Sequence, residues 1–459
     1  MSHPLDQRLT NRRALLAGCA GTVAALTSGT RLGRAASPAV QDDPSTITLF
    51  RDVRIFDGVH PERSAPAYLL VQDGMINTIS EAPIEAPAGA RVIEGNGATL
   101  MPGLIDAHWH TMLCEIPISE LFTADINYVD LIAGRAATKT LMRGFTSVRD
   151  MAGPSFGLKR AIDEGVLAGP RIWPSGAIIS QTSGHGDYRK RWEVPSKGTE
   201  LSYGERINAG VIADGPDEVL RATREQLMLG ASQIKLAAGG GIISDHDPID
   251  VTEYGQAEIE AAVGAAADWG TYVTVHTYMP RAIQRALQAG VKCIEHGQLI
   301  DDASAAMIAE AGAWWCLQPF VDDPALRNPA EPNPEKNATV SKGTDTAYRL
   351  AITHKIKVAW GTDILFSEEA TKHHGALLAA MTRWYTPAET LIMATSANAE
   401  LLALSGPRNP YPGVLGRVEA DAIADLLLVE GNPLDDLSLF TTPETSLRVI
   451  MQGGIIHKG

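Results

Sequence analysis

The sequence has few cysteines and no long apolar run beyond its first residues. Four cysteines occur among 459 residues, and Cys19 lies in the N-terminal stretch. The remaining Cys114, Cys293 and Cys316 form an odd and widely spaced set, which excludes a disulfide-rich framework. No later segment reaches the length of about 18 apolar residues that a bilayer requires, so we expect no membrane span there.

Positive charge is in deficit, because 54 acidic residues outnumber 39 lysines and arginines and give a formal net charge of −15. An acidic surface argues against a nucleic-acid or anionic-membrane partner. No Gly-Lys-Ser/Thr follows the run Gly239–Gly241, which excludes a phosphate-binding P-loop and favours a loop that a substrate can approach closely. Hydrophobic residues make up 45% of the chain, enough for a large core.

The N-terminal stretch has the pattern of an export signal. Arg12 and Arg13 precede an apolar stretch of mostly small residues that runs to about Leu26. This order resembles a bacterial twin-arginine signal over residues 1–37 and predicts a periplasmic or secreted protein. Two alternatives stay open, namely a lipid anchor attached through Cys19 and a disordered cytosolic tail.

Short β patterns flank the middle of the chain. After a linker rich in Pro and Ser, residues 38–97 contain short apolar segments and the hairpin turn Asp73–Gly74. Residues 406–459 repeat this pattern, with Gly453–Gly454 between apolar segments. Neither end can form a core alone, so we expect both ends to form one small β-sandwich domain.

The middle of the chain, residues 98–405, alternates short apolar runs with longer helical patterns. This alternation predicts an α/β fold, namely a TIM (β/α)8 barrel whose chemistry lies at the C-terminal ends of its strands. An open doubly wound sheet is the alternative, but no glycine-rich dinucleotide fingerprint follows the first strand. The eight predicted strands are the segment before His108 and residues 146–150, 171–175, 233–237, 272–276, 293–296, 314–317 and 358–363.

Two histidines follow the first of these strands. The apolar run 98–105 leads into His108-Trp109-His110. Side chains alternate in direction along a strand, so His108 and His110 point the same way. Two neutral imidazoles on one side can bind a single divalent metal. Two unrelated polar residues at the end of a core strand would give the same pattern.

Four further polar residues lie within or at the ends of later strands, namely Lys235, His276, His296 and Asp363. A barrel would bring all four to the cavity that contains the first histidine pair. Apolar neighbours lower the pKa of Lys235, and a neutral amine can add carbon dioxide to become an anionic carbamate ligand. A snorkelling lysine or a salt bridge explains Lys235 equally well.

Together these segments resemble the amidohydrolase superfamily. The likeness is greatest to its imidazolonepropionase-like group, which includes metal-dependent Xaa-Pro dipeptidases and ochratoxin-degrading amidases. It covers the chain from about Ile47 to the C-terminus. The segments that carry it are Pro102–His110, Lys235, Val275–Tyr278, Ile294–Gly297 and Gly361–Asp363.

The resemblance implies two divalent metal ions, usually zinc. His108, His110 and Asp363 would hold the first ion. His276 and His296 would hold the second. A carboxylated Lys235 and a hydroxide would bridge the two ions.

The same resemblance assigns catalytic roles. Asp363 would take the proton of the attacking hydroxide and pass it to the leaving nitrogen. His185, in the glycine-rich loop Ser183–Asp187, would help to polarise the scissile carbonyl. Tyr278 would contact the substrate. A solvated loop histidine and a packed aromatic ring are the competing interpretations of the last two residues.

Other polar residues are weaker candidates for the pocket. His374 follows Asp363 and lies beside a glycine. The charged residues Arg189, Lys190, Arg191 and Arg281 could pair with a substrate carboxylate. A run of charges is usually only a solvated face, so none of these is preferred.

The sequence therefore predicts a binuclear metal-dependent amidohydrolase in which a hydroxide attacks the amide carbonyl of a small molecule. The subgroup resemblance favours dipeptides, N-acyl amino acids and ochratoxin-like amides. Three alternatives stay open: a cyclic-amide hydrolase or deaminase on the same barrel, a lactone or phosphotriester hydrolase, and a non-catalytic binding protein. A small-molecule amide is the expected partner, and a homo-oligomer is open.

Overall fold

The computed structural model describes residues 47–195, 200–330 and 332–459. The export signal and the lipid anchor at Cys19 that the sequence suggests lie outside the described residues. Within the described ranges, no helix combines the length and the apolar character needed to cross a bilayer.

Strands and helices alternate through most of the described chain. The strands are β1 (Thr48–Ile55), β2 (Pro66–Gln72), β3 (Met75–Ser80), β4 (Arg91–Glu94), β5 (Thr99–Pro102), β6 (Leu104–Trp109), β7 (Phe145–Asp150), β8 (Arg171–Pro174), β9 (Ile178–Ser180), β10 (Gly210–Ile212), β11 (Ile234–Ala237), β12 (Val273–Thr277), β13 (Cys293–His296), β14 (Trp314–Leu317), β15 (Lys357–Trp360), β16 (Leu426–Val429), β17 (Leu447–Gln452) and β18 (Ile455–Lys458). The α-helices are α1 (Ile118–Leu121), α2 (Ile126–Met142), α3 (Phe156–Asp163), α4 (Tyr203–Arg206), α5 (Pro216–Leu229), α6 (Gln256–Asp268), α7 (Pro280–Gln288), α8 (Asp302–Glu310), α9 (Pro334–Thr353), α10 (Glu368–Thr371), α11 (His374–Ala379), α12 (Pro387–Ile392), α13 (Asn398–Ala403) and α14 (Pro443–Ser446).

Segments from both ends of the described chain form one mixed sheet. Its strand order is β18-β17-β16-β5-β1-β2-β3, and β4 pairs with β1. β16 joins the two ends because it pairs antiparallel with β5, with Leu428 opposite Leu100. The predicted hairpin at Asp73–Gly74 is confirmed, since it connects β2 and β3. A second layer that would make this sheet a sandwich stays a prediction.

The apolar run before His108 divides at Gly103. The residues before Gly103 form β5 of the mixed sheet, and those after it form β6 of a different sheet. A Cβ atom at Gly103 would lie 2.1 Å from Oγ1 of Thr146, so only glycine permits this close crossing. The sequence alone suggests one continuous strand here, whereas the structure has two.

Two parallel sheets make up the middle of the chain. One has the order β6-β7-β8, and the other has the order β10-β9-β11-β12-β13-β14-β15. Each of the eight strands predicted from the sequence overlaps a strand of these sheets, whereas β9 and β10 lie outside all of the predicted segments. β8 pairs with β7, whereas the following β9 pairs with β11.

Hydrogen bonds connect the end of β6 with the end of β15. The N–H of Asp363 donates to the carbonyl oxygen of His108 at 2.8 Å. The side-chain amide of Asn398 donates to the carbonyl oxygens of Ile105 and Trp360, at 2.7 and 2.8 Å. These contacts hold the first and last predicted barrel strands side by side. A fully closed barrel stays a prediction.

Burial explains why these segments are strands and helices. Strands β11 to β14 are buried along their whole length, as expected for parallel strands covered on both faces. The helices bury one side only: α7 begins at Pro280 and buries Ala282, Ile283, Ala286 and Leu287. A charged side chain inside such a fully buried strand is therefore unusual. Lys235 in β11 and Glu295 in β13 are two examples, and both belong to the candidate active site described next.

Candidate active site

One cavity contains every metal-ligand and catalytic residue predicted from the sequence. Its volume is about 480 Å³. The predicted residues that line it are His108, His110, His185, Lys235, His276, Tyr278, His296 and Asp363. They lie on or after strands β6, β9, β11, β12, β13 and β15, so the C-terminal ends of these strands converge.

His108, His110 and Asp363 form a compact set of ligand atoms. Nε2 of His108 lies 3.3 Å from Oδ1 of Asp363, and Nε2 of His110 lies 2.9 Å from the same oxygen. One ligand atom from each residue lies within 4.8 Å of the other two. Burial lowers the pKa of His110, which favours the neutral imidazole that metals bind.

His276 is the penultimate residue of β12, and His296 is the last residue of the neighbouring strand β13. Their ring centroids lie 4.4 Å apart. Nε2 of His276 is 3.1 Å from the carbonyl oxygen of Gly240, which leaves Nδ1 for a ligand. Nδ1 of His296 is 2.7 Å from Oε1 of Gln318, which leaves Nε2 for a ligand. Burial lowers the pKa of both imidazoles well below the usual range. Each histidine can therefore offer one neutral nitrogen to the cavity.

Lys235 is a charged residue type inside the fully buried strand β11. The residue is only 2% exposed, and its Nζ has no hydrogen-bond partner. Burial lowers the pKa of Lys235, against the negative charges of Glu295 and Asp363, which raise it. An unpartnered amine in such a place is costly unless it is modified or binds something. Among the residues that the structure describes, no carboxylate forms a salt bridge with Lys235, which was one of the alternatives from the sequence.

The sequence interpretation missed the support beneath His108. Nδ1 of His108 lies 2.7 Å from Oε2 of Glu295, and Oε1 of Glu295 accepts from Nη2 of Arg149 at 2.6 Å. Burial alone would raise the pKa of Glu295, but the charge of Arg149 holds it well below its usual value. A carboxylate bonded to Nδ1 fixes the imidazole so that Nε2 faces the cavity. Charged residues within the buried strands β7 and β13 were the signal available in the sequence.

His185 lies in the loop after β9, where its ring stacks on that of His276 with centroids 3.9 Å apart. Nδ1 of His185 lies 2.8 Å from Oγ of Ser244. A Cβ atom at Gly241 would lie 1.8 Å from the same Nδ1. The glycine run thus makes room for a histidine ring. The sequence interpretation expected that room to serve the substrate.

The sequence offered both Tyr278 and His374 as pocket residues, but only Tyr278 lines the cavity. Tyr278 is 2% exposed and lines the cavity, with its ring centroid 5.2 Å from that of His296. His374 does not line the cavity, so its assignment to the pocket was wrong. The ring of His374 stacks on Phe145 with centroids 3.4 Å apart, and Nε2 lies 2.9 Å from Oδ2 of Asp106. His374 therefore belongs to the support beneath β6.

None of the four cationic residues proposed for a substrate carboxylate lines the cavity, namely Arg189, Lys190, Arg191 and Arg281. The guanidinium of Arg189 instead pairs with the carboxylate of Asp187. Arg327, which the sequence interpretation overlooked, does line the cavity. The remaining lining is largely apolar, with residues such as Leu113, Ile178, Ile242, Phe320, Leu365 and Phe366.

Comparisons with known proteins agree with this site. The model of the amidohydrolase family matches residues 99–456. Ochratoxinase from Aspergillus niger is 32% identical over 394 residues, which cover 78% of this chain and 76% of the relative. The crystal structure of a prolidase complexed with N-methylphosphonate-L-proline is 30% identical with a TM-score of 0.82, covering 90% of this chain and 99% of that chain. A Xaa-Pro dipeptidase with methionine bound in its active site is 27% identical with a TM-score of 0.76, covering 90% and 100%.

The chain belongs to the amidohydrolase family, and it is a hydrolase that acts on carbon–nitrogen bonds. The resemblance drawn from the sequence motifs is thereby confirmed. Members of this family generally use divalent metal ions. The residues in the cavity fit such ions, because imidazole and carboxylate are suitable ligands and the unpartnered Nζ of Lys235 is left without another role.

Proposed function

We propose that this protein is a binuclear metal-dependent amidohydrolase that cleaves an amide bond in a small substrate. The substrates that we favour are dipeptides, N-acyl amino acids and ochratoxin-like amides. One observation carries the proposal: four histidines, Asp363 and an unpartnered buried Lys235 line the same cavity. The similarity of the chain to an ochratoxinase and to a prolidase supports this choice of substrates.

In this proposal, His108, His110 and Asp363 would hold one zinc ion, and His276 and His296 would hold the other. When bound, the two ions supply positive charge that activates water and stabilises the negative charge developing on the carbonyl oxygen. Lys235 links the two sets of ligands as a carbamate. Its neutral nitrogen would form a bond to the carbon of carbon dioxide while one C–O π bond opens onto oxygen. The nitrogen would then release one proton to solvent water, which leaves the side chain as an anion.

The chain's own residues move the protons and orient the substrate. Asp363 accepts the proton of the attacking hydroxide and delivers it to the leaving nitrogen. His185 donates to the scissile carbonyl through Nε2, since Nδ1 faces Ser244. Tyr278 lies close to His296 and contacts the substrate from the same wall. The apolar lining excludes bulk water and strengthens these interactions.

We also propose that the two parallel sheets close into a single (β/α)8 barrel. The pairing of two consecutive strands supports this arrangement, because β8 pairs with β7 of one sheet and the following β9 pairs with β11 of the other. The hydrogen bond from Asp363 to His108 supports closure on the other side. Such a barrel places its chemistry at the C-terminal strand ends, where the cavity lies.

A substrate panel tests the proposed activity. Zinc-loaded protein would be incubated with Xaa-Pro dipeptides, N-acyl amino acids and ochratoxin-like amides, and release of the free amino acid would be measured. We expect release from at least one of these classes and its loss after chelation of the metal. Ammonia release from a cyclic or purine substrate, with one metal per chain and an unmodified Lys235, would instead favour the deaminase alternative.

A further inference from the structure

A second cavity lies beside the candidate active site. Its volume is about 480 Å³, and among the described residues only Pro329 and Phe366 line both this cavity and the active-site cavity. Phe366 closely follows Asp363 in the chain, and the residues between them, Ile364 and Leu365, also line the active-site cavity. Phe366 therefore lies at the junction of the two cavities.

The backbone around Phe366 is fixed at this junction. Phe366 is 4% exposed, and its N–H donates to the carbonyl oxygen of Leu113 at 2.9 Å. The N–H of the next residue, Ser367, donates to the carbonyl oxygen of Cys114, also at 2.9 Å. Phe366 has a backbone φ of +60°, a left-handed conformation that is rare for a bulky residue and persists where the surrounding structure fixes it. The fold therefore sets the place of this aromatic side chain.

The second cavity suits an apolar group. The apolar residues in its lining include Ile116, Pro117 and Ile132. Its cationic group is already paired, because Nη2 of Arg135 lies 3.1 Å from Oε2 of Glu115 and 3.2 Å from Oε2 of Glu368. Burying an anion beside these carboxylates would be costly, whereas an apolar group gains from leaving water. The space beyond Phe366 is therefore better suited to an uncharged group than to an anion.

The proposed reaction puts the leaving amine on the side of the active-site cavity where Phe366 lies. Oδ1 of Asp363 lies 2.9 Å from Nε2 of His110, whereas the ring of His185 stacks on that of His276. Asp363 delivers the proton to the leaving nitrogen, and His185 binds the carbonyl oxygen. A side chain on the leaving amine would therefore meet the segment that follows Asp363, and Phe366 belongs to that segment.

We propose that Phe366 limits the size of the amine portion of the substrate by closing the active-site cavity towards the second cavity. Shortening this side chain would join the two cavities and admit amines with longer aromatic side chains. This inference rests on the proposed function, because it takes Asp363 as the proton donor to the leaving nitrogen. Phe366 acts as a specificity residue and moves no proton.

A matched pair of substrates tests this role through turnover. N-acetyl-L-phenylalanine and its para-phenyl derivative contain the same amide and differ by one ring on the amine portion, and acetate release reports both reactions. We expect the ratio of kcat/KM for the larger substrate to that for the smaller one to rise by about 10- to 100-fold in Phe366→Ala, the range over which steric fit in an apolar pocket changes selectivity. An unchanged ratio would overturn the proposal.

A second pair tests which portion of the substrate meets Phe366. N-benzoyl-L-phenylalanine and N-(para-phenylbenzoyl)-L-phenylalanine differ by one ring on the acyl portion, and release of phenylalanine reports both reactions. The ratio of their kcat/KM values should be the same in Phe366→Ala as in the wild type, because the acyl portion points away from Phe366. A rise of this ratio, with or without a rise for the first pair, would overturn the assignment to the amine portion.

Filling the second cavity tests whether its space is used. Ile132→Trp enlarges a side chain of α2 that lines the second cavity but not the active-site cavity. In the wild type it should leave the ratio for the first pair unchanged, because Phe366 still closes the junction. In Phe366→Ala it should return that ratio to the wild-type value, because the additional ring has lost its space. A gain that survives Ile132→Trp would overturn the proposal.

A more conservative variant covers the case in which Phe366→Ala does not fold. Phe366→Leu keeps an apolar side chain of closer volume, so it should disturb the packing less. We expect it to raise the ratio for the first pair in the same direction by a smaller factor. A folded Phe366→Leu protein with the wild-type ratio would count against the proposed limit on size.

Equilibrium binding to the holoenzyme gives a readout independent of turnover. The probes are 3-phenylpropan-1-ol and its para-phenyl derivative, which are uncharged and have no carbon–nitrogen bond to cleave. In isothermal titration calorimetry, we expect Phe366→Ala to strengthen binding of the larger probe at least about tenfold relative to the smaller one. An equal change for both probes, or no change, would overturn the inference. Absence of amide turnover with this binding pattern intact would contradict the proposed function alone.

Discussion

Asp363 contacts His108 of β6 and His110, the residue directly after β6. Its backbone φ is +57°, a left-handed conformation that is costly for a residue other than glycine. The hydrogen bond from its N–H to the carbonyl oxygen of His108 helps to hold this conformation. Such strain persists where the surrounding structure fixes it, and here it aims the carboxylate at the imidazoles. The position of the Asp363 carboxylate beside the two imidazoles is therefore consistent with the proposed roles of this residue, namely metal binding and proton transfer.

The substitution Asp363→Asn tests the proton-transfer role. It keeps the size and one oxygen of the side chain but removes the basic group. We expect kcat for amide hydrolysis to fall by about 10²- to 10⁴-fold, the usual contribution of a general base. Metal content should be measured on the same sample. Retained turnover with normal metal content would refute this role for Asp363.

Arg149 is the residue on which the support of His108 depends. It is fully buried and paired with Glu295, so its removal leaves a buried carboxylate without a compensating charge. We expect Arg149→Met to reduce the free energy of unfolding by about 3–5 kcal/mol, measured by urea denaturation. The exposed pair of Arg160 with Glu164 provides the control, and Arg160→Met should leave the urea midpoint unchanged. Equal effects of the two variants would argue against a structural role for the buried pair.

At the scale of secondary-structure elements, the loop after β11 packs against His185 and is held in place by α9. Lys336 of α9 donates to the carbonyl oxygens of Gly241, Ser244 and Asp247, at 3.0, 2.6 and 2.8 Å. These bonds hold the loop against His185, whose Nδ1 faces Ser244. The loop and the helix therefore position a side chain that the proposal assigns to the substrate carbonyl.

Gly241→Ala tests this arrangement, because the added methyl group would occupy the place of the His185 ring. We expect kcat/KM to fall by about 10²-fold, the cost of misplacing a catalytic group by about 1 Å. Gly264→Ala in α6 is the matched control, since its Cβ meets no atom within 4 Å. The control should keep full activity and gain about 0.5–1 kcal/mol in stability from its better helix former. Full activity in Gly241→Ala would show that the ring of His185 is free to move.

Strand prediction succeeded where burial on both faces leaves a short, uninterrupted apolar run, as in β11 to β14. It failed where a single apolar run contributes strands to two different sheets. The break at Gly103 depends on the approach of Thr146 from a distant strand, which no local pattern contains. The prediction also missed β9 and β10, each of which is only three residues long.

For the whole molecule, sequence patterns could predict only those site residues that lie within or at the ends of recognisable strands. The metal-ligand candidates end or lie within predicted strands, so a barrel assignment was enough to bring them together. The support from Arg149 to Glu295 joins residues 146 positions apart and depends on packing. The same limit applies to Arg327, whose loop has no periodic pattern, and to His374, whose partner is the distant Asp106.

The stability of the whole molecule should depend on pH through Glu253. Burial, and then the charge of Asp247, raises the pKa of Glu253 from 4.5 to about 8, while the N–H of His185 lowers it. The folded state therefore holds this proton more tightly than the unfolded state does. The resulting stability is fully present below about pH 4.5 and is lost as the pH rises towards 8.

We expect the free energy of unfolding of the wild type to fall, relative to Glu253→Gln, by up to about 1.4 kcal/mol per pH unit across this interval. Urea denaturation at pH 5, 6, 7 and 8 (about one-unit steps) measures the difference. Parallel curves for the two proteins would contradict the assignment of a buried protonated carboxyl to Glu253.

The metal content of the purified protein tests the central claim most directly. Inductively coupled plasma mass spectrometry on dialysed wild-type protein should find about two divalent ions per chain, as a binuclear site requires. The same measurement on Lys235→Ala should find fewer, because the proposed bridging ligand is gone. Full amidase turnover in wild-type protein that contains no metal would contradict the account.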